Sequence, residues 1–324
     1  MAIVSAFPDP LAVVYHYTTM DTMLKIVHGA SIWATSINYL NDETEGEHFL
    51  KIVRKRIPEY RKKNKVEDES IFDAVLRNET KGFEFLPFAA SFTHDSDSLT
   101  HWRSYCPRGN GVAIGFKVNC LKRAFVEVNG QRIESPFLKP VFQGVTYLKA
   151  DDLRACDAEI EGAIRMAEYF FDQWGDKGES ARLTLAEAFA FVIERRAYFI
   201  KDSSFSNEQE SRLLVTSTGS HSECLNFRCT RSSLVPYIPL SIPRKYSSPE
   251  STEQQAASLY GPAPQGEGIV SLLGGLAGRW DFIDRVVIGP TPNETLSVEA
   301  AKAFFRRYQM TVQVIPSKVP YRDW

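Results

Sequence analysis

Short strand-forming runs, scattered over the whole chain and separated by stretches of unequal length, constrain this fold most. Ala12-Val13-Val14-Tyr15-His16-Tyr17-Thr18 is β-branched and aromatic, and so is Ser31 to Ser36. Phe85 to Thr93, Gly111 to Phe116, Val141 to Tyr147 and Ser211 to Val215 follow, and Arg285 to Ile288 and Thr311 to Pro316 close the set. Helices fall between them without a strict β-α-β alternation. That order disfavours a doubly wound parallel sheet and predicts one mixed α+β domain over 1–324 with a helical insertion over 151–200.

The helical stretches have their own signals. Thr19 reads as an N-cap, and Met23, Leu24, Ile26 and Val27 give a short helix that stops at Gly29. The charged stretch from about Glu43 to Leu76 predicts one or two exposed helices after a turn at Asn41-Asp42. Its basic run, Lys51 to Lys65, reads as a solvated helix face. Alternating charge and helical periodicity from Asp151 to Phe199 predict two long helices with a break near Gly175 to Gly178. Residues 243–268, rich in Pro, Ser, Gly and Gln, read as a loop.

Composition removes several function classes. The 38 Lys+Arg against 40 Asp+Glu leave a formal charge of -2, so bulk charge does not make this a nucleic-acid binder. Hydrophobic residues at 44% are too many for a disordered chain. The apolar windows near 83–92 and 188–200 are interrupted by Glu84, Pro87, Glu194, Arg195 and Arg196, so no membrane association is expected. Met1 to Phe7 lacks the basic start of a signal peptide, and five cysteines do not make a disulfide framework; both point to a cytoplasmic location.

Familiar site motifs fail. Gly109, Gly111 and Gly115 have the wrong spacing for a dinucleotide fingerprint and precede a strand. Gly274-Gly275 with Gly278 lacks the Lys-Ser/Thr of a phosphate loop. Cys224 and Cys229 with nearby His221 have no second ligand pair, so no metal is expected. A Gly-x-Ser-x-Gly elbow is absent.

Three fragments remain. In Tyr15-His16-Tyr17-Thr18, strand periodicity puts His16 and Thr18 on one face and both tyrosines on the other. In Ser91-Phe92-Thr93 it puts both hydroxyls together and Phe92 in the core. In Glu208-Gln209-Glu210-Ser211-Arg212 the two glutamates share a face if the strand begins there. Each has a plain alternative: a core histidine, an ordinary strand end, a solvated carboxylate pair. Taken together, the order His, Ser-x-Thr, Glu-x-Glu resembles the ADP-ribosyltransferase superfamily. The chain also resembles a bacterial family known as domain of unknown function 2971. That resemblance runs through Tyr15 to Thr18, Asn41 to Gly46, Ser91-Phe92-Thr93, Trp102-Arg103-Ser104-Tyr105, Gly111 to Phe116, Glu208 to Arg212, and the tail from Ile288 to Arg322.

The resemblance implies a core of two small mixed β-sheets and NAD as substrate, with no metal. It implies an ADP-ribosyltransferase or NAD glycohydrolase that cleaves the nicotinamide–ribose bond, in a toxin or phage-defence setting. Glu210 would face the oxocarbenium-like cation, and Glu208 would act on the acceptor, which is a protein, a nucleic acid, a small molecule or water. His16, with Tyr17 and Thr18, would bind NAD; Ser91 and Thr93 would orient Glu210. Trp102 and Tyr105, three apart on a helical turn, face the same way, and one of them or Tyr17 would stack on the nicotinamide. The alternatives are a non-catalytic nucleotide- or partner-binding module on a degenerate transferase fold, and a nucleic-acid-processing enzyme.

Overall fold

The fold is given by a computed structural model that describes residues 12–40, 46–64, 69–77, 86–135, 138–149, 151–174, 185–217, 219–230, 232–243 and 282–321. The turn at Asn41-Asp42, Lys65, the break at Gly175 to Gly178, Gly274-Gly275 and the loop beyond Pro243 lie outside them.

In chain order the elements are β1 (Val13–Thr19), α1 (Met20–Gly29), β2 (Ser31–Ser36), α2 (Glu47–Asn64), α3 (Asp73–Arg77), β3 (Leu86–Thr93), α4 (Leu99–Tyr105) and β4 (Gly111–Lys117). Then come α5 (Val118–Leu121), β5 (Phe125–Val128), β6 (Gln131–Arg132), β7 (Val141–Gly144), β8 (Thr146–Leu148), α6 (Leu153–Trp174), α7 (Leu185–Ala197) and β9 (Ile200–Asp202). The last are β10 (Glu210–Ser217), β11 (Asn226–Cys229), β12 (Leu234–Ser241), β13 (Ile283–Ile288), α8 (Glu294–Arg307) and β14 (Gln313–Pro316). The mixed α and β content matches the sequence expectation. Among the described residues no helix is long and apolar enough to cross a membrane.

The chain forms two compact units. Among the described residues the first draws on 33–91 and 126–239, and the second on 12–32, 92–125 and 240–321.

In the second unit β4 is the middle strand. It runs antiparallel to β1 on one side and to β13 on the other, and β13 runs parallel to β14, so the sheet is mixed. The near-continuous apolar run of β4 fits a strand covered on both faces, and Gly111 through Phe116 are all buried. Gly115 is required by close packing: a Cβ there would sit 2.9 Å from Val13 and 3.0 Å from Tyr15. On β1 the expected alternation holds. Tyr15 and Tyr17 join a core cluster with Trp102, Ala113 and Val287, while His16 is half-buried beside Phe92. The expected cap is present too, with the Thr19 hydroxyl accepting from the Thr22 N–H at 3.0 Å.

In the first unit α2, α3, α6 and α7 share one core, including Phe49, Ile57, Phe72, Ile160, Phe189 and Ile193. The region from Glu43 is therefore not merely an exposed helix pair: one face of α2 is buried. The basic run on α2 is partly consumed, because Arg56 makes a two-pronged bond to Asp157 at 2.7 and 2.9 Å and Lys63 lies 3.4 Å from the same carboxylate. The expected single strand over Val141 to Tyr147 is two strands. The chain changes partner at Val145: β7 pairs with β10, whereas β8 runs parallel to β9 in a small separate sheet.

Candidate functional site

Glu210 opens β10, every residue of which is buried, so any charge on this strand must be answered internally. Arg212, two residues on, supplies the answer. Its Nε and Nη2 donate to the two Glu210 carboxylate oxygens at 2.7 and 2.9 Å, and its Nη1 donates to the Tyr198 carbonyl at 2.7 Å. The Lys201 ammonium, on β9, stands 2.9 Å from the Glu210 carboxylate and donates to Glu208, also at 2.9 Å. The Glu210 backbone N–H donates to the Tyr147 hydroxyl at 2.8 Å, and the Val145 N–H donates to the Glu210 carbonyl. Burial by itself would raise the Glu210 carboxyl. The Arg212 guanidinium, its hydrogen bonds and Lys201 outweigh that and hold the carboxyl well below its ordinary range. Four charges thus form a chain, Arg212–Glu210–Lys201–Glu208, that sums to zero.

The two glutamates do not share a strand face, as sequence periodicity suggested. Glu208 ends a 3-10 turn (Ser203–Glu208), and Gln209 between them is left-handed at φ 46. They meet through Lys201 instead. Their environments also differ: the side chain of Glu208 is 27% exposed, those of Lys201 and Glu210 only 9% and 6%. Arg212 and Lys201 orient Glu210, the task the sequence reading gave to Ser91 and Thr93. Ser91 belongs to the first unit; Thr93 belongs to the second, is buried, and accepts from the Asp95 N–H at 3.2 Å.

The remaining predicted residues, His16, Tyr17, Thr18, Trp102 and Tyr105, lie in the second unit. Tyr17 is a core clip. Its hydroxyl donates to the Asp95 carbonyl at 3.0 Å and accepts from the Ser98 N–H at 2.9 Å, and its ring stacks on His101 and meets Trp102 edge-on. Thr18 lends its carbonyl to the Cys106 thiol at 3.4 Å. Trp102 is buried and Tyr105 is 44% exposed, so the two differ in environment although they stand three apart on α4. The indole N–H donates to Asp97 at 2.8 Å. Asp97 also accepts from the Ser317 hydroxyl and from the Lys318 N–H, which ties the tail after β14 to the start of α4.

Trp102 also floors a pocket of about 240 Å³ whose rim holds Arg103, Arg108 and Tyr321. The turn Pro107 to Asn110 forms one wall; the Asn110 N–H donates to the Pro107 carbonyl, and Gly109 at φ 66 supplies the left-handed residue the turn requires. Gly289 has no room for a side chain, since a Cβ would lie 2.9 Å from both the Gly111 carbonyl and Trp102. Burial pushes the Cys106 thiol up to about 12, which disfavours its thiolate. Among the described residues no group of three or more His, Cys, Asp or Glu could hold a metal ion.

Sequence reasoning missed Lys201, Tyr147, Asp97 and Arg108. Only Arg212 had a local signal, an Arg two residues from a Glu at the head of an apolar strand. Residues 101–213, from α4 into β10, match a family described as protein of unknown function (DUF2971). No curated protein and no solved structure matches the chain.

Proposed function

We propose that the protein cleaves the nicotinamide–ribose bond of NAD and passes ADP-ribose to an acceptor or to water, with Glu208 as the carboxylate that meets the reacting ribose. The single observation that carries this assignment is the Lys201 ammonium held between a buried carboxylate and a partly exposed one. A developing oxocarbenium cation needs a preorganised carboxylate it can reach. Glu210 is already neutralised by Arg212 and Lys201, and 6% of its side chain is exposed. Glu210 therefore serves as a positioning residue: it fixes Lys201, and Lys201 fixes Glu208. The order of His, Ser-x-Thr and Glu-x-Glu fragments supports the reaction class.

The test is nicotinamide release measured beside label transfer from NAD. Glu208→Gln should lower both by about two to three orders of magnitude. Lys201→Met should lower them less, because Glu208 would lose the cation that holds it in place. Undiminished turnover by Glu208→Gln would overturn the assignment. NAD binding by the parent without nicotinamide release would favour the second reading, a non-catalytic nucleotide-binding module; the full neutralisation of Glu210 is the observation on its side. The nucleic-acid reading has less of its basic run to draw on, since Arg56 and Lys63 pair with Asp157.

A further inference from the structure

Beyond the chemistry of NAD, and independent of it, the pocket of the second unit has a composition of its own. Two arginines, Arg103 and Arg108, stand at its rim, two aromatic rings, Trp102 and Tyr321, line it, and among the described residues no Asp or Glu lines it. The Arg103 guanidinium lies over the Tyr321 ring, 5.4 Å from its centroid. Stacking of this kind restrains a guanidinium while leaving its in-plane N–H donors pointing outward. Tyr321 is held near the pocket because Asp97 binds Ser317 and Lys318 a few residues earlier, and the Tyr321 N–H donates to the Val319 carbonyl. The second arginine, Arg108, sits on a turn whose shape is set by Gly109. The site is thus assembled from three separate segments, each fixed by its own hydrogen bonds.

We propose that this pocket binds the phosphate of a phosphomonoester, with Arg103 and Arg108 as its two cationic walls and Trp102 and Tyr321 flanking the attached group. Two guanidiniums match the double charge of a phosphomonoester, each able to offer paired N–H donors to its oxygens. Size bounds what is attached. Small-molecule pockets usually run from about 300 to 1,000 Å³, and this one is about 240 Å³. It has room for a phosphate and a sugar-sized group. The shared chemistry has two sources, free phosphate and a sugar or nucleotide phosphate.

Calorimetric titration of the full chain with inorganic phosphate, ribose 5-phosphate and unphosphorylated ribose decides the matter. The expected result is binding of a phosphate-bearing probe, no binding of ribose, and weakening by about tenfold or more in each of Arg103→Gln and Arg108→Gln. Both arginines are exposed, so unchanged thermal unfolding certifies that the variants are folded. Equal affinity for phosphate and ribose 5-phosphate assigns the site to the free anion; tighter ribose 5-phosphate assigns it to a phosphorylated sugar. Absence of binding by the parent up to about 10 mM of either phosphate probe overturns the proposal. Binding that neither arginine variant weakens overturns it as well. Nicotinamide release is a separate assay, so failure here leaves the Glu208 assignment where it stands.

Discussion

Arg212 heads the largest fully buried side chains of the first unit, and its depth is tolerable because Glu210 and the Tyr198 carbonyl answer its donors. Half of this arrangement is legible in the sequence. An Arg and a Glu two apart on a strand share a face, so the pair could be read from Glu210-Ser211-Arg212. The other half is not: Lys201 comes from a different strand, and only the fold brings it to both glutamates. Glu194 on α7 shows the opposite electrostatic case. Burial raises its carboxyl from the ordinary 4.5 to about 7; Arg54 pulls it down and Glu47 pushes it up. An acid raised in the fold holds a proton that the unfolded chain has released. Its contribution to stability is therefore largest at pH below the unfolded value and is lost as pH rises through about 7. Glu194→Gln should remove that slope. Urea unfolding at about pH 5 and pH 8 should show the parent losing roughly 1–3 kcal/mol more than the variant between the two; equal losses would show that Glu194 is ionised in the folded protein.

Elements with one strong local signal were legible. The β-branched run of β1, the Thr19 cap and the apolar run of β4 each stand where the sequence puts them. Elements that break a local rule were not. β12 carries Pro236 and Pro239, which demote a run as a strand, yet it pairs with β11. The β5–β6 hairpin had a clear signal in Asn129-Gly130, both at positive φ, although its strands are too short to show a pattern. The joint before β10 is the most consequential departure, because a single left-handed residue turns Glu208 off the strand that carries Glu210. Gln209 at φ 46 takes that conformation at a steric cost of about 1–2 kcal/mol. A β-branched residue there costs more, and glycine relieves the strain. Gln209→Val should lower stability by about 1–2 kcal/mol in denaturant unfolding, while Gln209→Gly should match or slightly exceed the parent. If valine is accepted without loss, the joint is extended, and Glu208 follows the strand periodicity after all.

At the scale of the molecule, neither unit is a continuous length of chain, which is why the order of elements revealed the α+β class but not the grouping of its parts. The sheet of the second unit joins β1, β4 and β13 across wide gaps in sequence, and such non-local pairing carries no short-range signature. This interleaving makes truncation a sharp test. A chain ending at Pro243 lacks β13, and with it Val286, Val287 and Ile288, all buried against the sheet. At about 1.5–3 kcal/mol for each such side chain, their loss costs roughly 5–9 kcal/mol, comparable with the whole stability of an ordinary domain. One edge of β4 also loses its partner strand. The helical core of the first unit, by contrast, is built from residues between Phe49 and Ile200 and loses nothing. Hydrogen exchange on the 1–243 fragment should therefore show β1 and β4 amides exchanging at unfolded rates while those of α6 and α7 keep their protection. Protection retained in β4 would mean that β1 alone sustains the sheet; protection lost throughout would mean that the helical core depends on the second unit for its own stability.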